Sequence, residues 1–227
     1  MFEIFTSAFW SEYGRLLLDG TRDTLLMTFF STVFAYLLGL PLGVLLVLTG
    51  DHGIVPRRRL NRCVGWVINV GRSLPFIILM VCVMPLTKLL VGTKIGVLGA
   101  IPPLVISAAP FIARMVESSL SEVDAGVVEA AQSMGASTLQ IIRKVYLPEA
   151  TPSLVLGGSI SIITILAYTA IAGAIGAGGL GDLAIRYGYQ RREDSMMWVT
   201  VILLVILVQC IQSAFNYIST HIDKRLK

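Results

Sequence analysis

The sequence predicts an all-α integral membrane protein with five transmembrane helices. Three observations carry that reading. Hydrophobic residues make up 55% of the chain and charged residues only 14%, where ordinary soluble domains carry about 25% charged residues. The apolar residues gather into runs, each long enough to supply the roughly 20 residues that cross a hydrocarbon core of about 30 Å. Lys and Arg sit in short groups between those runs.

Residues 1–23 lack the basic start and small-residue cleavage pattern of a signal peptide and carry Glu3, Glu12, Asp19 and Asp23, so they are expected to remain on the mature chain. Their aromatics, Phe2, Phe5, Phe9, Trp10 and Tyr13, predict an interfacial helix. The first span is Thr24–Thr49, where Gly39 and Gly43 form a G-x-x-x-G spacing that admits a second helix closely. The second runs from about Cys63 to Leu90 and contains Arg72, Pro75 and Pro85. A charge at the bilayer centre costs about 2.5–3.5 kcal/mol, so Arg72 is expected toward the cytoplasmic end or facing other helices. The third, fourth and fifth spans cover about Val97–Met115, Leu154–Ile175 and Met196–Ile218. Residues 24–218 thus form one transmembrane domain, followed by a basic tail, 219–227.

Orientation follows from the cations. Arg57, Arg58, Arg59 and Arg62 follow the first span, Arg143 and Lys144 follow the third, and Lys224, Arg225 and Lys227 end the chain. These segments share one face if the spans are right, while the opposite face has Lys88, Lys94 and a mixed loop in which Arg186, Arg191 and Arg192 meet Asp182, Glu193 and Asp194. The first face is therefore cytoplasmic and the amino terminus is outside. The net charge of +4 reads as affinity for anionic headgroups, not for nucleic acid. Cys63, Cys82 and Cys210 are far apart in or beside apolar runs and read as packing residues. His52 and His221 have no ligand partner at helical spacing, and no metal site is expected.

The cytoplasmic segment 117–152 is patterned. Asp124 is placed to cap a short helix with apolar positions at Val127, Val128, Ala130, Ala131 and Met134, and Gly135 is placed to end it in a left-handed conformation. Ser137 and Gln140 have capping-box spacing, which starts a second helix, Thr138–Tyr146, expected to stop near Pro148. Such a pair is either a rigid knob for another protein to push on or an interfacial hairpin without a partner.

The run Glu129-Ala130-Ala131-Gln132-Ser133-Met134-Gly135-Ala136-Ser137-Thr138-Leu139-Gln140, followed by Val145, Leu147 and Pro148, resembles the "EAA" loop of bacterial binding-protein-dependent ABC importers. The stretches 71–79, 108–117 and 176–181 extend the similarity over nearly the whole chain, which is most similar to the methionine-uptake branch. The resemblance implies a type I ABC importer permease fold in the bacterial inner membrane. Glu129, Ala130, Ala131, Gly135, Ala136, Leu147 and Pro148 would form the coupling loop on a cytoplasmic ATPase. It further implies a second copy of the chain, two ATPase subunits that bind ATP and Mg²⁺, and an extracytoplasmic substrate-binding lipoprotein. Methionine, as the D- or L-form, would cross by alternating access. This chain itself would hold no cofactor and catalyse no covalent step.

Several features are open to two readings. Gly176, Gly178 and Gly181 match G-x-G-x-x-G, but they end a spanning segment with no strand before them, so a nucleotide turn is not expected. With Gly173 and Gly179 they read as a hinge or gate, or as a structural turn. Ser161, Thr164 and Tyr168 recur on one helical face and line a pathway or bond to neighbouring helices. No glycine-rich loop ends in Lys-Ser or Lys-Thr, so a partner must hydrolyse ATP. The spans lack the mid-membrane acids that serve proton-coupled carriers. The competing reading is an ion-coupled carrier or channel without an ATPase.

Overall fold

The structure, a computed structural model, describes residues 7–222, and every regular element among them is helical. In chain order these are α1 (Ser7–Thr49), α2 (Arg58–Ser73), α3 (Phe76–Val91), α4 (Gly96–Ser121), α5 (Ala125–Ser133), α6 (Thr138–Ile141), a π turn (Ile142–Tyr146), α7 (Leu147–Gly173), α8 (Gly179–Leu183), a second π turn (Ala184–Gln190) and α9 (Asp194–Ile222). Four helical stretches, α1, α4, Thr138–Gly173 and α9, are long and apolar enough to cross a membrane, and α2 with α3 forms a fifth, bent candidate. Helices follow from composition, because hydrocarbon offers no partner for an open backbone N–H or carbonyl.

Three sequence expectations need correction here. The amino-terminal segment is not a separate interfacial helix: from Ser7 onward it is the first part of α1, which runs unbroken for 43 residues. Nothing in 7–40 interrupts a helix, since the one proline within α1 is Pro41, and Phe9 is buried against Leu17, Leu180 and Met196 instead of lying on a membrane surface. Phe2, Phe5 and the tail cations Lys224, Arg225 and Lys227 lie outside the described residues.

The second span is likewise not one rod. It is two helices bent by 109°, with Pro75 in an extended conformation at the start of α3 (φ −58°, ψ 132°). The residue before a proline is pushed out of the helical region, so α2 stops at Ser73. Arg72 stands exposed in the last turn of α2, beside the break. The cysteines are also corrected: Cys63, Cys82 and Cys210 are free and exposed, not packed.

The chain forms two compact units. The first comprises Met1–Phe34, Leu74–Ser107 and Ile162–Gln212. Its core gathers Met27, Phe76, Met80, Leu104 and Ala172, and a second cluster joins Phe9, Leu17, Leu180 and Met196. The Thr24 hydroxyl ties α1 to α8 by accepting the Leu180 N–H at 2.9 Å while donating to the Gly20 carbonyl, also at 2.9 Å.

The second unit comprises Ala35–Ser73, Ala108–Ser161 and Ser213–Lys227. Here the G-x-x-x-G spacing acts as expected. A Cβ on Gly39 would lie 2.8 Å from the Ala109 carbonyl oxygen, and one on Gly43 would lie 2.6 Å from the Ala113 carbonyl oxygen, so α1 and α4 touch backbone to backbone. The helix α2 joins through Ile68, packed with Leu46 and Ala113. Arg114 links α4 to α2 by charge: it pairs with Glu117 at 2.6 Å and donates to Asn69 Oδ1 at 3.0 Å and to the Gly65 carbonyl at 3.3 Å. Both terminal nitrogens of its guanidinium fork thus find partners, while its buried Nε has none.

Gly43→Leu should therefore lower the thermal unfolding midpoint in detergent by the equivalent of about 1–3 kcal/mol. Leu38→Ile, at a position 54% exposed, should leave the midpoint unchanged.

Candidate functional site

The segment between α4 and α7 is built from local capping chemistry. The Asp124 carboxylate accepts the Gly126 N–H at 2.7 Å, satisfying one of the donors that a helix start leaves open. The helix α5 closes through Met134, and Gly135 follows at φ 77°, a left-handed conformation that glycine adopts without steric cost. The Ser137 Oγ then accepts the Gln140 N–H at 3.4 Å, and Gln140 Oε1 accepts the Ser137 N–H at 2.8 Å. This reciprocal pair is the capping box expected from the sequence.

The expected stop near Pro148 is not there. The chain passes through the π turn Ile142–Tyr146, in which the Leu147 N–H reaches the Ile142 carbonyl five residues back, and continues as α7. In an ordinary helix Pro148 would leave the Lys144 carbonyl without its donor and press its ring against it. The wider π turn falls at these residues, so the capped segment from Thr138 and the fourth span are one continuous helical path.

Exposure divides the expected site residues. Glu129, Ala130, Gly135 and Pro148 are exposed, while Ala136 and Leu147 are half-buried. Ala131 differs: it is buried with Val128 and faces inward, so its small side chain serves packing under α5. The open surface also carries apolar groups outside the expected contact residues. Val127 is 45% exposed, Leu139 55% and Met134 81%, on a connection between spans.

Beside α5 lies a cavity of about 450 Å³ lined by the turn Gly50–Ile54, the end of α4, α5 and Tyr146 of the π turn, with Asp51, Glu117, Glu129 and Gln132 among its polar groups. Sequence reasoning missed this grouping, because residues 50–54 are distant in sequence from 117–146. The available signal is the pair Gly50 and Gly53, which marks a tight turn: the Gly53 N–H bonds to the Gly50 carbonyl at 3.0 Å, and a Cβ on Gly53 would collide with the Val47 and Leu48 carbonyls.

The other candidates lie elsewhere. Gly173, Gly178, Gly179 and Gly181 are brought together in the first unit. A Cβ on Gly173 would meet the Asp182 N, one on Gly181 would meet the Ala170 carbonyl, and one on Gly179 would come within 2.7 Å of Thr24 Oγ1. The turn itself uses positive φ at Gly176 (92°), Gly178 (83°) and Gly179 (81°), and it joins two helices with no strand before it. Ser161, buried in the second unit, donates to the Gly157 carbonyl at 2.8 Å and accepts the Tyr36 hydroxyl at 3.5 Å. In the first unit Thr164 is half-buried, and Tyr168 stacks on Phe76 with ring centroids 4.6 Å apart.

Residues 37–227 match the family of binding-protein-dependent transport system inner membrane components. The chain belongs to this family. As a member of it, the chain is 51% identical over 210 residues to the probable D-methionine transport system permease protein MetI of Vibrio cholerae serotype O1, covering 92% of this chain and 93% of that protein. It is 49% identical over 158 residues to the D-methionine transport system permease protein MetI of Escherichia coli K12, covering 70% and 73% respectively. A solved chain of the inward-facing MetNI methionine ABC transporter matches at TM-score 0.92 and 46% identity, over 94% of this chain and 99% of that one. An amino acid ABC transporter chain at 20% identity and TM-score 0.75, over 93% and 96%, shares the fold. The family match contains the whole capped segment and begins within α1.

Asp124→Ala and Ser137→Ala should each remove about 1 kcal/mol of local stability. Hydrogen–deuterium exchange should accelerate within residues 125–141 and stay unchanged in the rest of the chain.

Proposed function

We propose that this family member is the permease of a methionine importer, working as a pair with two cytoplasmic ATPase subunits and a substrate-binding lipoprotein outside. The observation that carries the reading is similarity to MetI permeases along nearly the full length, together with the close match to a chain of the MetNI transporter. ATP and Mg²⁺ belong to the ATPase, and methionine, as the D- or L-form, crosses as the paired permeases alternate between inward-open and outward-open states.

The coupling surface comprises Glu129, Ala130, Gly135, Ala136, Leu147 and Pro148, with Ala131 packed beneath. Exposed Val127, Met134 and Leu139 support this assignment, since apolar groups on a membrane protein's water-facing connection are stabilised by a partner that covers them. The continuous path through the π turn supports it too: a push on α5 and α6 acts directly on α7. The division into an outer segment 1–23, a transmembrane domain 24–218 and a basic tail 219–227, with the amino terminus outside and the carboxy terminus in the cytoplasm, rests on the arginine and lysine distribution. Gly173, Gly176, Gly178, Gly179 and Gly181 serve as the hinge or gate at the outer end of α7. Ser161, Thr164 and Tyr168 are the polar positions assigned to the path.

Cells without their own methionine importer, given this chain with its ATPase and binding protein, should take up labelled methionine at low concentration. Removing the ATPase's catalytic glutamate should abolish that uptake; uptake that persists would favour a carrier or channel. Glu129→Ala combined with Gly135→Val should reduce uptake about tenfold, as expected when a strain of roughly 1–2 kcal/mol is placed on a left-handed residue and a contact charge is lost. Co-purification of the ATPase should weaken in parallel, and intact transport and association would refute the coupling role.

A further inference from the structure

The helix α2 has two unlike faces. Gly65 and Ile68 are buried, Ile68 against Leu46 and Ala113. On the other side Arg59, Arg62, Trp66 and Val70 are exposed at steps of three and four residues, which aligns them in one stripe. Cations therefore occupy the first turns of this stripe and apolar groups the later ones.

The arginines are not used by the chain itself. Arg58 pairs with Asp51 at 2.7 Å, but among the described residues Arg59 and Arg62 have no acid at ion-pair distance. One turn on from Arg62, the Trp66 ring is 67% exposed. Guanidinium groups bind phosphate oxygens in a fork, and tryptophan favours the level of the headgroups, with its ring in the apolar boundary.

We propose that this stripe is an anionic-lipid site, in which Arg59 and Arg62 hold the phosphate of an acidic phospholipid headgroup and Trp66 and Val70 contact its acyl chain. The argument for this occupant is charge complementarity combined with the order of groups along the helix. A lipid standing at the interface presents its phosphate first and its chain next, as the stripe requires. The proposal uses the membrane reading of the chain and is independent of the substrate.

The assembled transporter, in nanodiscs of phosphatidylcholine with or without phosphatidylglycerol, supplies the test. Electron paramagnetic resonance would compare retention of spin-labelled phosphatidylglycerol with that of spin-labelled phosphatidylcholine. The natural chain should prefer phosphatidylglycerol, and Arg59→Gln with Arg62→Gln should reduce the preference by about fivefold for each arginine. Arg59→Lys with Arg62→Lys should restore most of it. Both positions are exposed, and the Arg58–Asp51 pair stays intact, so thermal unfolding of the variants should match the natural chain. Equal preference in the Gln variant and the natural chain would overturn the proposal. So would disulfide formation between two copies of a Trp66→Cys variant, since a second permease would then cover the stripe. Both membrane leaflets have the same composition, and no methionine or ATP is added, so this result stands apart from the uptake experiment.

Discussion

Hydrocarbon accepts apolar side chains readily but offers nothing to a backbone amide, and that constraint shapes the rest of this protein. All regular structure among the described residues is helical, and several hydroxyl side chains follow the same logic. Thr24, Thr28, Thr49, Thr151 and Thr200 each donate to the carbonyl four residues back, which satisfies the hydroxyl inside its own helix. The usual division of inside and outside is relaxed as a result. Leu18, Phe29, Leu37 and Leu89 are all more than 60% exposed, an arrangement that water would penalise and lipid tolerates.

With apolar side chains at ease in the surrounding lipid, burial alone does little to hold helices together, and close shape and specific polar bonds take its place. Gly39 and Gly43 let α1 lie directly on α4. Gly173 and Gly181 do the same for α7 and α8. Arg114 adds a charged clasp among α2 and α4, and Thr24 fastens the glycine turn to α1. The contacts of Gly39, Gly43, Arg114 and Thr24 join segments far apart in sequence, so each helps to define its unit of the fold.

Three irregular places in the backbone have a chemical cause. Pro75 separates α2 from α3 because the residue before it is barred from the helical region. Pro148 falls just past a π turn, which supplies the room its ring needs and keeps α7 continuous with α6. π turns of this kind recur at functional sites, and this one lies between the surface assigned to an ATPase and a membrane span. The glycine turn after α7 is the third irregular place, and the positive φ values there require residues without a Cβ.

The sequence by itself determined what depends on neighbours along the chain. Hydropathy over windows of about 20 residues located the spans, and side chains within three residues of Asp124 and Ser137 wrote the caps of α5 and α6. Left-handed Gly135 followed from the same local rules, and so did the resemblance carried by 129–148. Tertiary structure alone decided what depends on distant partners: that Ala131 faces inward, that the Gly50–Ile54 turn and Glu117 border the cavity beside Glu129, and that Tyr168 is stacked on Phe76. The sharp bend at Pro75 and the passage past Pro148 belong with these. A proline announces that a regular helix cannot continue unchanged, but whether the chain breaks, bends or widens by one residue is settled by the packing on either side of it.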